Sequence, residues 1–95
     1  MGIMIATMDT PAPQAGRSNV MRARKAVAAQ LRSERARIDI SQADLAKSAG
    51  LGTNTIRRIE NEERAITLDQ LVAICDVLGV SFTRFLDDAQ AHMRE

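Results

Sequence analysis

The apolar positions of this chain recur at helical spacing, and four times they do so behind the same starting signal. Ile40, Leu51, Ile66 and Val80 each stand one residue ahead of a small or hydroxyl residue (Ser41, Gly52, Thr67 and Ser81), and each is answered five positions on by Leu45, Ile56, Leu71 and Phe85. That is the spacing of a hydrophobic staple, in which a residue before the cap packs on one inside the first turns and sets the angle at which the chain begins a helix. Four helices are therefore expected from Ile40 onward. A longer one precedes them, from about Asn19 to Arg37, with Val20, Val27 and Leu31 along one side together with Ala23, Ala28 and Glu34. Arg22, Arg24, Lys25 and Arg32 fall mostly elsewhere on it. The pattern predicts an all-α chain of five helices.

Between Ile40 and Asn61 two short helices meet at a tight turn. Ser41 caps the first, with Asp44 three residues on to close a capping box, and Leu45, Ala46 and Ala49 form its inner face. Gly50 ends it, because glycine alone takes the left-handed terminal conformation without steric cost. The second starts after Gly52, buries Ile56 and Ile59, and leaves Asn54, Arg57, Arg58 and Asn61 on the opposite face. Amides and guanidinium groups are the side chains that pair with base edges and phosphates. The next helix, 67–78, has a capping box in Thr67 and Gln70 and an apolar face of Leu68, Leu71, Val72, Cys75 and Leu78, with Gly79 as its stop. The last offers Phe82, Phe85 and Leu86 before turning polar at Asp87, and Phe82 and Leu86 fit either a core or a dimer contact.

Residues 1–18 lack this periodicity and hold both prolines and two of the five glycines, so a flexible N-terminal tail is expected there, with one domain over residues 19–95. The apolar run from Ile3 to Ala6 is too short to span a membrane, and no basic residue precedes it as in a signal peptide.

Charge sharpens the reading. The net charge is only +1, yet residues 17–59 carry ten Lys or Arg against three acids, and residues 60–95 carry three against eight. A basic first half is the electrostatic footprint expected on a polyanion. With two Phe and no Trp or Tyr, the stacking platforms of single-strand and RNA binders are missing, which favours duplex DNA. Cys75 is the only cysteine and falls on an apolar stripe, so it is expected in the core of a protein of the reducing cytoplasm. His92, without a second ligand-type residue at metal spacing, is expected at the surface. No phosphate-binding glycine loop, Cys–His pair or metal cluster is legible, so neither an enzyme nor a cofactor site is expected.

The run Gln42-x-x-Leu45-Ala46-x-x-x-Gly50-x-x-x-x-x-Ile56-x-x-Ile59-Glu60-Asn61 resembles the XRE helix-turn-helix family, the phage repressor and Cro-like DNA-binding proteins, over about residues 27–86. The resemblance implies a five-helix lambda-repressor-like domain that lays its second motif helix, at about residues 53–60, in the major groove. It implies base reading by Thr53, Asn54 and Arg58, with Arg57 next in line, and backbone contacts from Gln42, Asn61 and Arg35. It also implies that Arg35 bonds Glu60 as an orienting pair close to the DNA backbone. Two departures stand out: Gly52 replaces the usual Ser or Thr cap, and Glu62 and Glu63 follow Asn61 where a glycine is frequent. Two acids beside the DNA backbone would repel it, so the loop from Glu62 to Ile66 is expected to tilt away. Within the tail Arg17 alone supports the alternative of an arm reaching round the DNA.

The function implied is a small transcriptional regulator, a repressor that occupies a double-stranded operator as a homodimer, with the interface on the fifth helix near Phe82, Arg84, Phe85 and the segment after Leu86. A competing reading is an antitoxin-like protein that autoregulates through its helix-turn-helix while the tail or the acidic C-terminal end binds a protein partner.

Overall fold

The structure, a computed structural model, describes residues 12–94, with side chains described from residue 16 onward. Five helices are present and no strand occurs among the described residues: α1 (Ala12–Ile38), α2 (Gln42–Ser48), α3 (Thr55–Glu60), α4 (Leu68–Leu78) and α5 (Phe82–His92). The all-α, five-helix expectation holds. No helix among the described residues is long and apolar enough to cross a membrane.

α1 begins at Ala12, seven residues before the expected Asn19. Pro13 falls in its first turn, where the missing N–H has no helical acceptor to lose, so the proline that reads as a breaker is compatible with a helix start. Gly16 weakens a helix without stopping it. The expected tail thus overlaps α1 over residues 12–18, and its remainder, residues 1–11 with the apolar run, lies outside the described residues.

The other helices begin and end largely as their caps dictate. The hydroxyls of Ser41, Thr67 and Ser81 accept from the backbone N–H of Asp44, Gln70 and Arg84 at 3.0–3.1 Å. Gln70 returns the bond to the Thr67 N–H and completes a capping box there, whereas the cap at Ser41 is one-sided. α3 starts later than expected, at Thr55, so Thr53 and Asn54 lie in the turn ahead of it, and the Asn54 side chain makes no cap bond.

One terminator is used four times. After α1, α2, α3 and α4 a residue with positive φ (Asp39, Gly50, Glu62 and Gly79) donates its N–H three residues back, and its successor donates five residues back, to Arg35, Ala46, Arg58 and Cys75 respectively. This is the Schellman motif, which satisfies carbonyls that the helix itself leaves open. The successors Ile40, Leu51 and Val80 pack on the core and are the same residues that staple the next helix. A single apolar side chain therefore closes one helix and opens another, which is why the turns are so short. After α3 the successor is Glu63, and the staple residue Ile66 comes three residues later.

The core is built from Leu31 of α1, Leu45 and Ala46 of α2, Ile56 and Ile59 of α3, Leu71, Ile74, Cys75 and Leu78 of α4 and Phe85 of α5. α1 packs on α5 and on α3, which sets the basic residues of α1 beside the helix-turn-helix. Three sequence expectations are corrected. Ile74, not counted on the inner face of α4, is fully buried, while Leu68 and Val72 are 65% and 37% exposed, because positions 71, 74, 75 and 78 face the bundle. Val20 is half exposed, within a stretch, residues 16–22, that is exposed throughout. His92 is not a free surface group: its Nε2 lies 3.1 Å from Gln30 Oε1, and Gln30 donates to Glu34, which pairs with Arg37. Arg37 in turn donates to the Leu78 carbonyl at 2.7 Å, so this polar chain ties α1 to the ends of α4 and α5.

Candidate nucleic-acid interface

A helix of six residues has too few hydrogen bonds to stand alone, so α3 depends on what holds it. Ile56 and Ile59 anchor its inner face in the core. Its last residue, Glu60, is buried at 3% exposure, and a buried carboxylate is costly unless its lone pairs are filled. Three donors fill them. Arg35 Nε and Nη2 bond Glu60 Oε2 and Oε1 at 2.6 and 2.9 Å, and Gln42 Nε2 bonds Oε1 at 3.0 Å. The Glu60 backbone carbonyl accepts from Arg32 at 2.8 Å, which places a cation at the negative end of α3. Arg35 also donates to the Ile40 carbonyl, in the turn between α1 and α2. One residue thus locks α1, α2 and α3 together, and hydrogen bonding to Glu60 raises the affinity of the Arg35 guanidinium for its proton above the ordinary value.

The expected Arg35–Glu60 pair is therefore formed, as a two-pronged bond. Gln42, expected as a backbone contact, spends an amide N–H on Glu60 and is half-buried, so in this structure it braces the motif. The sequence pattern places Arg32 only in a basic run. Its place one turn ahead of Arg35 on α1 is the signal that could have put it at the same helix end.

On the outer side, Thr53, Asn54, Arg57, Arg58 and Asn61 are all exposed. Gly52, Thr53, Asn54, Thr55 and Arg58 line a shallow groove, and the loop after α3 brings Arg64 into it. Arg64 has no ion-pair partner among the described residues, and nothing in the sequence pattern singled it out. The loop itself does not tilt away as expected. Glu63 folds back over α3, where its carboxylate lies 3.6 Å from Arg57 Nη1 and 3.8 Å from Arg58 Nε and accepts from Asn61 Nδ2 at 3.3 Å. The cause is the terminator: the Glu63 N–H is bonded to the Arg58 carbonyl, which holds its Cα beside the last turn. This surface is an exposed row of amides and guanidinium groups on a rigidly held short helix. It can pair with base edges in a groove and with phosphates at its rim.

Comparison with known proteins agrees with this geometry. A helix-turn-helix family model matches residues 31–85, from the last third of α1 into α5. No curated protein matches the chain. Among solved structures, one of the clp gene regulator ClgR from Corynebacterium glutamicum is 26% identical, with a TM-score of 0.72 over 76% of this chain and 77% of that one. A second structure of the same regulator is 27% identical, with a TM-score of 0.69 over 75% of this chain and 91% of that one.

Proposed function

The chain belongs to the XRE-type helix-turn-helix family of DNA-binding transcription regulators, and from that premise we propose that it is a sequence-specific repressor that reads a duplex operator with Thr53, Asn54, Arg57 and Arg58. The carrying observation is the clamp on Glu60: it fixes a short helix whose outer side is wholly polar and exposed, as a base-reading element requires. Asn54, whose side chain makes no cap bond, is matched to adenine, and Arg58 to guanine, each bidentate contact contributing about 1–3 kcal/mol of discrimination. Arg32, Arg35, Gln42, Asn61 and Arg64 surround them and serve the phosphate backbone, directly or by bracing those that do.

The operator is bound by a homodimer, because a six-residue helix reads only a short half-site and joining two multiplies affinity. Its interface lies on α5 around Phe82 and Leu86, which are 43% and 41% exposed, with Arg84 at its edge. Phe85, expected with them, is fully buried and belongs to the core.

Selection of binding sites from random duplex DNA tests the proposal. The expected result is a two-fold symmetric site, bound with an affinity that falls steeply with salt. Arg58→Ala is expected to lose roughly 1–3 kcal/mol of preference for that site while non-specific binding stays nearly intact. No enrichment from the pool, or affinity flat between low and moderate salt, overturns it.

A further inference from the structure

Glu63 stands in an unusual place. It follows α3 at the position where the other three terminators carry an apolar residue that turns into the core, and as a carboxylate it stays outside, 45% exposed. An anion at the C-terminal end of a helix meets the negative end of the helix dipole, so α3 itself does not hold it there. Arg57, Arg58 and Asn61 hold it, and these are three of the side chains assigned to DNA. Its backbone is fixed by the bond to the Arg58 carbonyl at 2.9 Å, which keeps the carboxylate over the readers instead of sweeping freely through solvent.

We propose that Glu63 is an internal competitor for the DNA face, an anion that occupies the reading arginines until a matching base displaces it and so sets how tightly the matching duplex binds. The inference rests on the duplex-reading function proposed above. On a non-matching duplex Arg58 has two options. It stays beside Glu63, and one cation is withheld from the phosphates, or it leaves Glu63 without a base to receive it. Either way non-specific affinity falls, by no more than the worth of the Glu63 contact. On the matching site the bidentate arginine–base contact replaces the Glu63 contact, and the carboxylate is released to water. The matching site always costs the Glu63 contact, whereas a wrong site can leave it in place, so the penalty on the right sequence is at least as large as on wrong ones.

The experiment compares the full chain with Glu63→Gln and, as a control for net charge, Glu62→Gln, whose carboxylate makes no ion pair with a described residue. Each is titrated by fluorescence anisotropy against the duplex selected by the wild-type protein and against a scrambled duplex of the same composition, over a range of salt. Glu63→Gln is expected to bind the selected duplex about 2- to 5-fold more tightly, the effect of releasing an exposed ion pair. Affinity for the scrambled duplex should rise by no more than that, and Glu62→Gln should leave both affinities within about 1.5-fold of wild type, below the range for Glu63. No tightening on the selected duplex, a larger gain on the scrambled one, or equal effects of the two substitutions overturns the inference while the DNA-reading function stands. A wild-type chain that enriches no duplex at all overturns that function instead. Melting midpoints of the three proteins exclude a folding effect.

Discussion

Two single residues carry costs that can be measured. Glu62 holds φ at 63°, a left-handed conformation that costs a residue with a Cβ about 1–2 kcal/mol, at a position that closes α3. Glu62→Gly is expected to stabilise the fold by roughly 0.5–1 kcal/mol, the steric relief less the extra entropy of glycine in the unfolded chain, as read from urea denaturation midpoints. Asp39, at 56°, should gain less from the same change, because aspartate tolerates this region through local hydrogen bonding. Cys75 is the second case. Burial, helped by the charges of Asp76 and Glu34, pushes its thiol up from 9.0 to about 11. The folded chain then holds that proton more tightly than the unfolded one, so its contribution to stability is whole below pH 9 and is lost as pH rises toward 11, at about 1.4 kcal/mol per unit. With no tyrosine in the chain, Cys75→Ala should flatten the stability profile over that window, and an unchanged slope would assign the loss to other groups.

At the scale of elements, the terminators and the Glu60 clamp divide the labour. The terminators set where helices stop, and the clamp sets how α3 is aimed. Truncating Glu60 to alanine leaves Arg35 and Gln42 facing a void while Arg32 keeps the backbone carbonyl, and the expected destabilisation is roughly 2–4 kcal/mol, somewhat under the full penalty for a broken buried pair because Arg35 keeps 20% of its side chain in water. Amide hydrogen exchange should speed up first in α3, which lacks the length to persist once its C-terminal anchor is gone. If α3 and α4 lose protection together, the clamp serves the whole bundle and not the reading helix.

Over the whole molecule, the core reaches all five helices but leaves apolar side chains outside it, among them Phe82 and Leu86 on α5 and Val20 and Met21 on α1. The dimer proposal makes use of the first pair. Leu86→Glu is expected to shift the chain to monomer in sedimentation experiments and to weaken operator binding at least tenfold without lowering the melting midpoint by more than a few degrees, since the side chain is already 41% exposed. A dimer that survives this substitution and truncation after Asp87 places the interface elsewhere, with α1 as the next candidate. The polar chain from His92 through Gln30 and Glu34 to Arg37 gives α5 a fixed seat on α1, so a dimer formed through α5 would hold both reading helices in a defined relation.

Helix number, the starts at Ser41, Thr67 and Ser81, and the stops at Gly50 and Gly79 were legible in the sequence because caps and staples act within a few residues of the chain. The Arg35–Glu60 pair was legible only through a family likeness, since no local rule joins residues 25 positions apart. What tertiary structure alone decided has the same cause. Which side of an apolar helix such as α4 turns inward, burying Ile74 and exposing Leu68, depends on the neighbours it meets. The commitment of Gln42 and Arg32 to Glu60, the arrival of Arg64 in the groove of Thr53 and Asn54, and the return of Glu63 onto Arg57 and Arg58 are contacts between separate elements or across a turn. Periodicity shows that such groups are exposed or buried. Their partners are set only when the helices are brought together.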